Sequence, residues 1–190
     1  MTPLGYALLG LLARTPCSGY DLLRRMEDPV GFFWHAQRSQ IYPELARLEA
    51  AGLVRYTVVE QTDRPHKKVY ETTDAGIAAL RNWVTVPMKL PFDRDTFMVK
   101  VFSIWLVSPQ QALHLVRSYR ADHATRLAQY EEIRQNMERD WEPAARRFDS
   151  PKFASYATLL RGIDYERGYV SWCDWLAEAI EASAPPESAE

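Results

Sequence analysis

Glycine, cysteine and long apolar runs are all scarce in this chain of 190 residues, and each scarcity removes a class of function. Eight glycines leave little material for phosphate-cradling loops, and no G-x-G-x-x-G, Walker, G-x-S-x-G or H-E-x-x-H pattern occurs. The two cysteines, Cys17 and Cys173, lie far apart, match no metal or redox spacing, and read as reduced thiols. His35, His66, His114 and His123 sit in separate segments, none with a partner at metal-ligand spacing. Carboxylates are abundant but scattered over helix-surface positions. The expectation is therefore a protein with no catalytic residues, no metal and no cofactor. No stretch approaches the ~20 apolar residues of a membrane span. The opening run MTPLGYALLGLLART has no basic region before it and no small-residue cleavage site after it, so the cytoplasm is the expected location.

What is present suits a globular protein: 47% hydrophobic, 25% charged and 12% aromatic residues, enough rings for a core and a ligand pocket. The length fits one generous domain, or a small domain with an appendage. A net charge of −2 argues against a nucleic-acid binder, but the charge is unevenly spread. Residues 1–90 carry 11 basic against 9 acidic side chains, and residues 91–190 carry 12 against 16.

Apolar periodicity divides the chain further. Leu4, Leu8, Leu11 and Leu12 mark a helix over Thr2–Ala13. A turn at Thr15–Gly19 leads to a short helix over Tyr20–Met26, with Ser18 as N-cap and Asp28-Pro29-Val30-Gly31 as its break. Ile41, Leu45 and Leu48 mark a third helix over Ser39–Ala51, closed by Gly52. Pro43 fits it only in the first turn, where a missing N–H costs little. Leu53–Val59 and Lys68–Thr72 read as a two-stranded hairpin, and Thr73-Asp74 caps a fourth helix. Three helices, two strands and a helix are the order of a winged helix-turn-helix. Beyond a linker at Pro87–Pro91 the chain reads as all helical: Asp93–Val107, a long helix after Ser108-Pro109, and a last helix from Lys152 to about Ala182.

The expected fold class is mainly α with a small β-wing. A winged helix-turn-helix occupies residues 1–88, a helical dimerisation and effector-sensing domain 92–183, and a disordered tail 184–190. The last helix carries two apolar stripes, one of them containing Ile163, Val170, Cys173 and Ile180. An arc that wide must be covered on two sides, which a second copy supplies economically. Those four residues are the expected dimer interface; burial within one chain is the alternative.

Two patches point to nucleic acid. The first turns of a recognition helix face the major groove, and Gln40 offers an adenine a paired donor and acceptor. Ser39 and Tyr42 can reach a phosphate or base edge, or serve only as cap and packed aromatic. Arg64, His66, Lys67 and Lys68 concentrate positive charge at the hairpin tip, as a clamp on the backbone or as an ordinary solvated hairpin.

The stretches Leu8-Leu9-Gly10-Leu11-Leu12, Ser18-Gly19-Tyr20-Asp21-Leu22, Phe33-Trp34, Ser39–Leu45, Lys67-Lys68-Val69-Tyr70 and Thr73-Asp74-Ala75-Gly76 resemble the PadR family of transcriptional regulators. Tyr169-Val170-Ser171-Trp172 is similar to the branch that represses phenolic-acid detoxification genes. The resemblance implies a homodimer joined through its C-terminal helices, bound to an inverted-repeat operator in double-stranded DNA and released by a small aromatic ligand. With it, Tyr20, Ser39, Gln40, Tyr42, Arg64, His66, Lys67 and Lys68 become expected DNA contacts. Phe33, Trp34, Arg38 and Trp105 become expected effector contacts. Rival readings are a winged-helix protein-interaction module without DNA binding, favoured by the overall acidity, and a small-molecule carrier or cryptic enzyme with an aromatic pocket.

Overall fold

The structure, a computed structural model, describes residues 1–27, 37–60, 66–89, 94–141 and 143–183. The expected helix break at 28–31 and the tail at 184–190 lie outside them. The chain divides into two compact units, Met1–Lys89 and Leu90–Glu190.

In the first unit, α1 (Pro3–Leu12) starts with Pro at its first position, and Thr2 caps it by accepting from the Gly5 N–H at 3.0 Å. A two-residue strand β1 (Cys17–Ser18) precedes α2 (Gly19–Glu27). Ser18 and Asp21 cap the start of α2 reciprocally: Ser18 Oγ accepts from the Asp21 N–H, and Asp21 Oδ2 accepts from the Ser18 N–H. α3 (Arg38–Ala50) runs past Ala51 to Gly52, whose φ of +70° is the left-handed turn that glycine tolerates best. Its register differs from expectation. Gln37, not Ser39, is the N-cap, and Pro43 lies inside the helix beyond the first turn. The missing N–H there leaves the Ser39 carbonyl, on an exposed residue, to solvent, which keeps the cost low.

β2 (Val54–Val59) and β3 (Lys67–Thr72) pair antiparallel, Tyr56 opposite Tyr70 and Val58 opposite Lys68. β1 adds to the free edge of β3, giving the order β1-β3-β2 where a two-stranded hairpin was expected. Two residues are too short for an alternating pattern to show. α4 (Asp74–Val84) begins at the N-cap Thr73, which also donates to the Gly52 carbonyl at 2.7 Å. Gly76 lies so close to the strand entry that an added Cβ would stand 2.2 Å from the Leu53 carbonyl oxygen. The core of this unit is closed and apolar: Leu8, Leu9, Leu12, Leu22, Met26, Ile41, Leu45, Leu48 and Val54 are all within 2% of complete burial. Among the described residues of this unit one carboxylate is buried: Glu44 accepts from Thr2 Oγ1 at 2.6 Å and pairs with Arg47 at 2.7 Å, tying α3 to the start of α1.

The second unit is built on a helical hairpin. α5 (Thr96–Phe102) is shorter than the expected Asp93–Val107 helix; Ser103 leaves the helical region and a 3-10 turn follows at Ile104–Leu106. The β-branched Val99, Val101 and Ile104 weaken the helix there. α6 (Pro109–Arg139) opens with a capping box between Ser108 and Gln111. A 3-10 turn at Pro143–Arg146 leads to α7 (Pro151–Ser183), which returns antiparallel along α6. Arg117 meets Glu181, Arg120 meets Asp174, His123 meets Glu166, and Arg167 meets Glu131. Thus polar residues spaced along α6, Arg120 and His123 among them, tie it to α7. Among the described residues no helix is long and apolar enough to cross a membrane.

Candidate nucleic-acid interface

The surface around the start of α3 gathers most of the expected DNA contacts. Arg38, Ser39, Gln40 and Tyr42 are all exposed on its first two turns. The Tyr42 ring lies against Gly19, where an added Cβ would come within 2.8 Å of Cε1, so the glycine lets α2 and α3 approach. Tyr20, next in sequence at the head of α2, is 59% exposed. The Arg38 guanidinium sits over the Tyr42 ring, 5.6 Å from its centre, so the cation stays on this surface with its polar edge in water.

Gln40 has a second occupation. Its side-chain oxygen accepts from the Gln37 N–H at 2.9 Å, closing the N-terminus of α3. An amide oxygen has two lone pairs and the NH₂ group remains, so the side chain is held in one orientation and keeps both a donor and an acceptor to offer. Free N–H groups at this end also favour a phosphate.

The wing separates its two lysines. Strand residues alternate between faces, so Lys67 and Lys68 point oppositely. The Lys68 ammonium rests 3.9 Å from the centre of the Tyr56 ring and is otherwise exposed. The Lys67 ammonium is 2.9 Å from Asp21 Oδ2. Bonds from Lys67 and Ser18 hold the Asp21 carboxyl down at about 2, well below the usual carboxylate range. His66 is exposed at the start of β3. Arg64 lies outside the described residues. Sequence reasoning did not single out Asp21 or Gln37, although the Ser18-x-x-Asp21 spacing is a capping signal.

Of the expected effector contacts, Phe33 and Trp34 lie outside the described residues. Arg38 belongs to α3 as above, and Trp105 is 77% exposed in the 3-10 turn after α5. Of the expected dimer residues, Ile163 and Cys173 are 2% and 0% exposed, buried within this single chain. Val170 and Ile180 are part-buried. The apolar surface left open belongs to other positions: Val99 and Phe102 on α5, Trp105 and Leu106 in the following turn, and Leu160 and Trp175 on α7. Burial pushes both the Cys17 and Cys173 thiols up, which suits inert packing residues. Between α6 and α7 the His123–Glu166 pair is enclosed by Tyr119, Tyr165 and Tyr169, with Tyr169 stacked 4.4 Å from the imidazole. His123 Nε2 has no hydrogen-bond partner. The two residues are 43 apart, and no local pattern announces such a pair.

Comparison with known proteins places these features. Residues 8–82 match the transcriptional regulator PadR-like family, and residues 94–181 match the virulence activator alpha C-terminal family. Over 182 residues the chain is 32% identical to the negative transcriptional regulator PadR of Bacillus subtilis, covering 95% of this chain and 99% of that one. The structure of that Bacillus protein in complex with operator DNA superposes with a TM-score of 0.84 at 31% identity, covering 94% and 99% of the two chains. Its structure in complex with p-coumaric acid superposes at 0.77 and 32% identity, covering 94% and 98%.

Proposed function

This chain belongs to the PadR-like family of transcriptional regulators, and we propose that it represses its target by binding an inverted-repeat operator as a homodimer, until a small aromatic acid releases it. The observation that carries the proposal is the exposed start of α3. Arg38, Ser39, Gln40 and Tyr42 stand on one surface of a unit whose core is otherwise closed. A relative 31% identical over nearly the whole length has been seen on operator DNA.

In this reading α3 enters the major groove, and Gln40 reads a base while still capping its own helix. Ser39, Tyr42 and Tyr20 contact the sugar-phosphate backbone, and the wing tip with Arg64, His66 and Lys68 follows the neighbouring phosphates. The helical unit joins two copies. Its open apolar residues on α5 and the turn after it, with Val170 and Ile180 at the margin of α7, form the contact. Charge repulsion from the acidic second half keeps indiscriminate binding weak.

A phenolic acid is the proposed effector class, after the relative's complex with p-coumaric acid. The exposed ring of Trp105 offers such an aromatic acid a face to stack on. A ligand lowers operator affinity only by as much as it prefers the unbound arrangement. The test is fluorescence anisotropy on the upstream region of the chain's own gene and on shuffled DNA, with and without p-coumaric acid. Preference for the upstream region, lost on adding the acid, is expected. Equal affinity for both DNAs would overturn the operator reading, and binding unmoved by phenolic acids would overturn the effector class.

A further inference from the structure

A wing binds DNA usefully only if it is held at a fixed angle to the recognition helix, and one carboxylate oxygen sits where that angle is set. Asp21 Oδ2 accepts from Ser18 Oγ at 2.7 Å and from the Ser18 N–H at 3.1 Å, and the Lys67 ammonium lies 2.9 Å away. These donors come from β1 and from the first residue of β3, while the acceptor belongs to α2. Ser18 pairs in turn with Val69 of β3. Three elements therefore meet on one oxygen beside the tip-side end of β3.

The charges at this junction matter as much as the geometry. Lys67 and Asp21 are 40% and 37% exposed, so both fields reach solvent and any polyanion nearby. Held as a pair, they present no net charge. Lys68, one residue on and facing the other way, makes no ion pair among the described residues and rests on the Tyr56 ring. Two adjacent lysines that look equivalent in the sequence are thus a balanced cation and a free one.

We propose that Asp21 and Lys67 form a neutral brace that positions the wing and restrains non-specific DNA binding, with Lys68 rather than Lys67 as the wing's phosphate contact. The proposal rests on the reading that this face meets DNA. Asp21 is a positioning residue: it touches no base, and it removes from the phosphate-binding count a cation that would otherwise enter it. A carboxylate left uncovered here would repel the backbone, so Lys67 also masks Asp21. The low value at which the Asp21 carboxyl titrates keeps the brace charged across the pH range in which DNA binding is measured.

The test uses the full chain and a random-sequence duplex, with anisotropy titrations across a salt series and a melting curve for each variant. Each phosphate neutralised contributes about 0.9 to the slope of log K against log salt. Lys68→Ala is expected to shrink that slope by about 0.9. Asp21→Asn frees Lys67 and should steepen it by about 0.9, with tighter binding to random DNA. Asp21→Asn with Lys67→Ala removes the pair together and should return the slope to the wild-type value. The charge exchange Asp21→Lys with Lys67→Asp, which keeps a pair by another route, should leave it there too. A double neutral variant that loses about 0.9, with Asp21→Asn unchanged, would show Lys67 already on a phosphate and overturn the brace. If Lys68→Ala leaves the slope untouched while the chain still binds DNA, Lys68 is not the wing's phosphate contact and the proposal falls alone; a wild-type chain that binds no DNA overturns the operator reading instead.

Discussion

The two units of this chain solve opposite problems. The winged unit closes an apolar core upon itself and leaves a polar surface, the start of α3, for another molecule. The helical unit buries Phe97, Val116, Cys173 and Leu176 in its main cluster, and it buries a hydrogen-bonded polar pair, His123–Glu166, as well. It leaves Phe102 86% exposed and Trp105 77% exposed. Apolar patches rimmed by charge are rare on monomers and mark contact surfaces. The first unit presents polar chemistry; the second presents apolar area. A regulator that reads a two-fold operator needs both.

The contrast can be broken most severely at the buried pair. Glu166→Ala strands the imidazole of His123 between three tyrosines and should cost about 3–5 kcal/mol. Urea unfolding followed by circular dichroism is expected to lose the helical unit first, while the winged unit keeps its own transition. Replacing both members by leucine should recover most of the loss, since a well-packed apolar pair needs no partner. In the winged unit the comparable injury is Leu45→Ala, completely buried, at about 2–5 kcal/mol. It should lower the transition of residues 1–89 alone as much as in the full chain, because the described residues of that core all lie within 1–89.

Phe102→Asp sharpens the comparison from the other side. The side chain is exposed in the single chain, so folding should be untouched, and dimerisation should weaken by about 2–3 kcal/mol for the lost aromatic burial. Sedimentation velocity distinguishes the outcomes, and an unchanged dimer would remove α5 from the interface. Smaller still is Gln40→Ala, at about 1–3 kcal/mol on the operator and much less on shuffled DNA. Because Gln40 also caps α3, its melting curve separates a lost base contact from a frayed helix.

Much of the winged unit was legible because its signals are local. Ser18, Gly52 and Thr73 mark element ends by cap chemistry, and the alternation of β2 and the periodicity of α1 show their classes directly. What escaped depends on residues distant in sequence or on runs too short to pattern. β1 is two residues whose strand character comes from β3, about fifty positions on. The α3 boundary was displaced because the Gln37–Gln40 cap competes with Ser39, a residue type usually preferred at that place. In the helical unit the apolar stripes of α7 were visible, but not which would be taken by α6. Packing against α6 claims Ile163 and Cys173, so the outward surface falls to residues such as Trp175 and Phe102. His123 and Glu166 look like two ordinary polar helix positions until the hairpin brings them together. Lys67 and Lys68 are alike in one dimension and are separated only by the pleat of β3.

The central claim is that two copies of α3, held by the helical units, read one inverted repeat. Native mass spectrometry of the chain on its operator duplex, paired with a footprint of the same complex, tests it most directly. The account predicts two chains per duplex and a symmetric footprint with half-site centres about one helical turn apart, ~34–36 Å. A single chain on the duplex, or protection without a repeat, would contradict it.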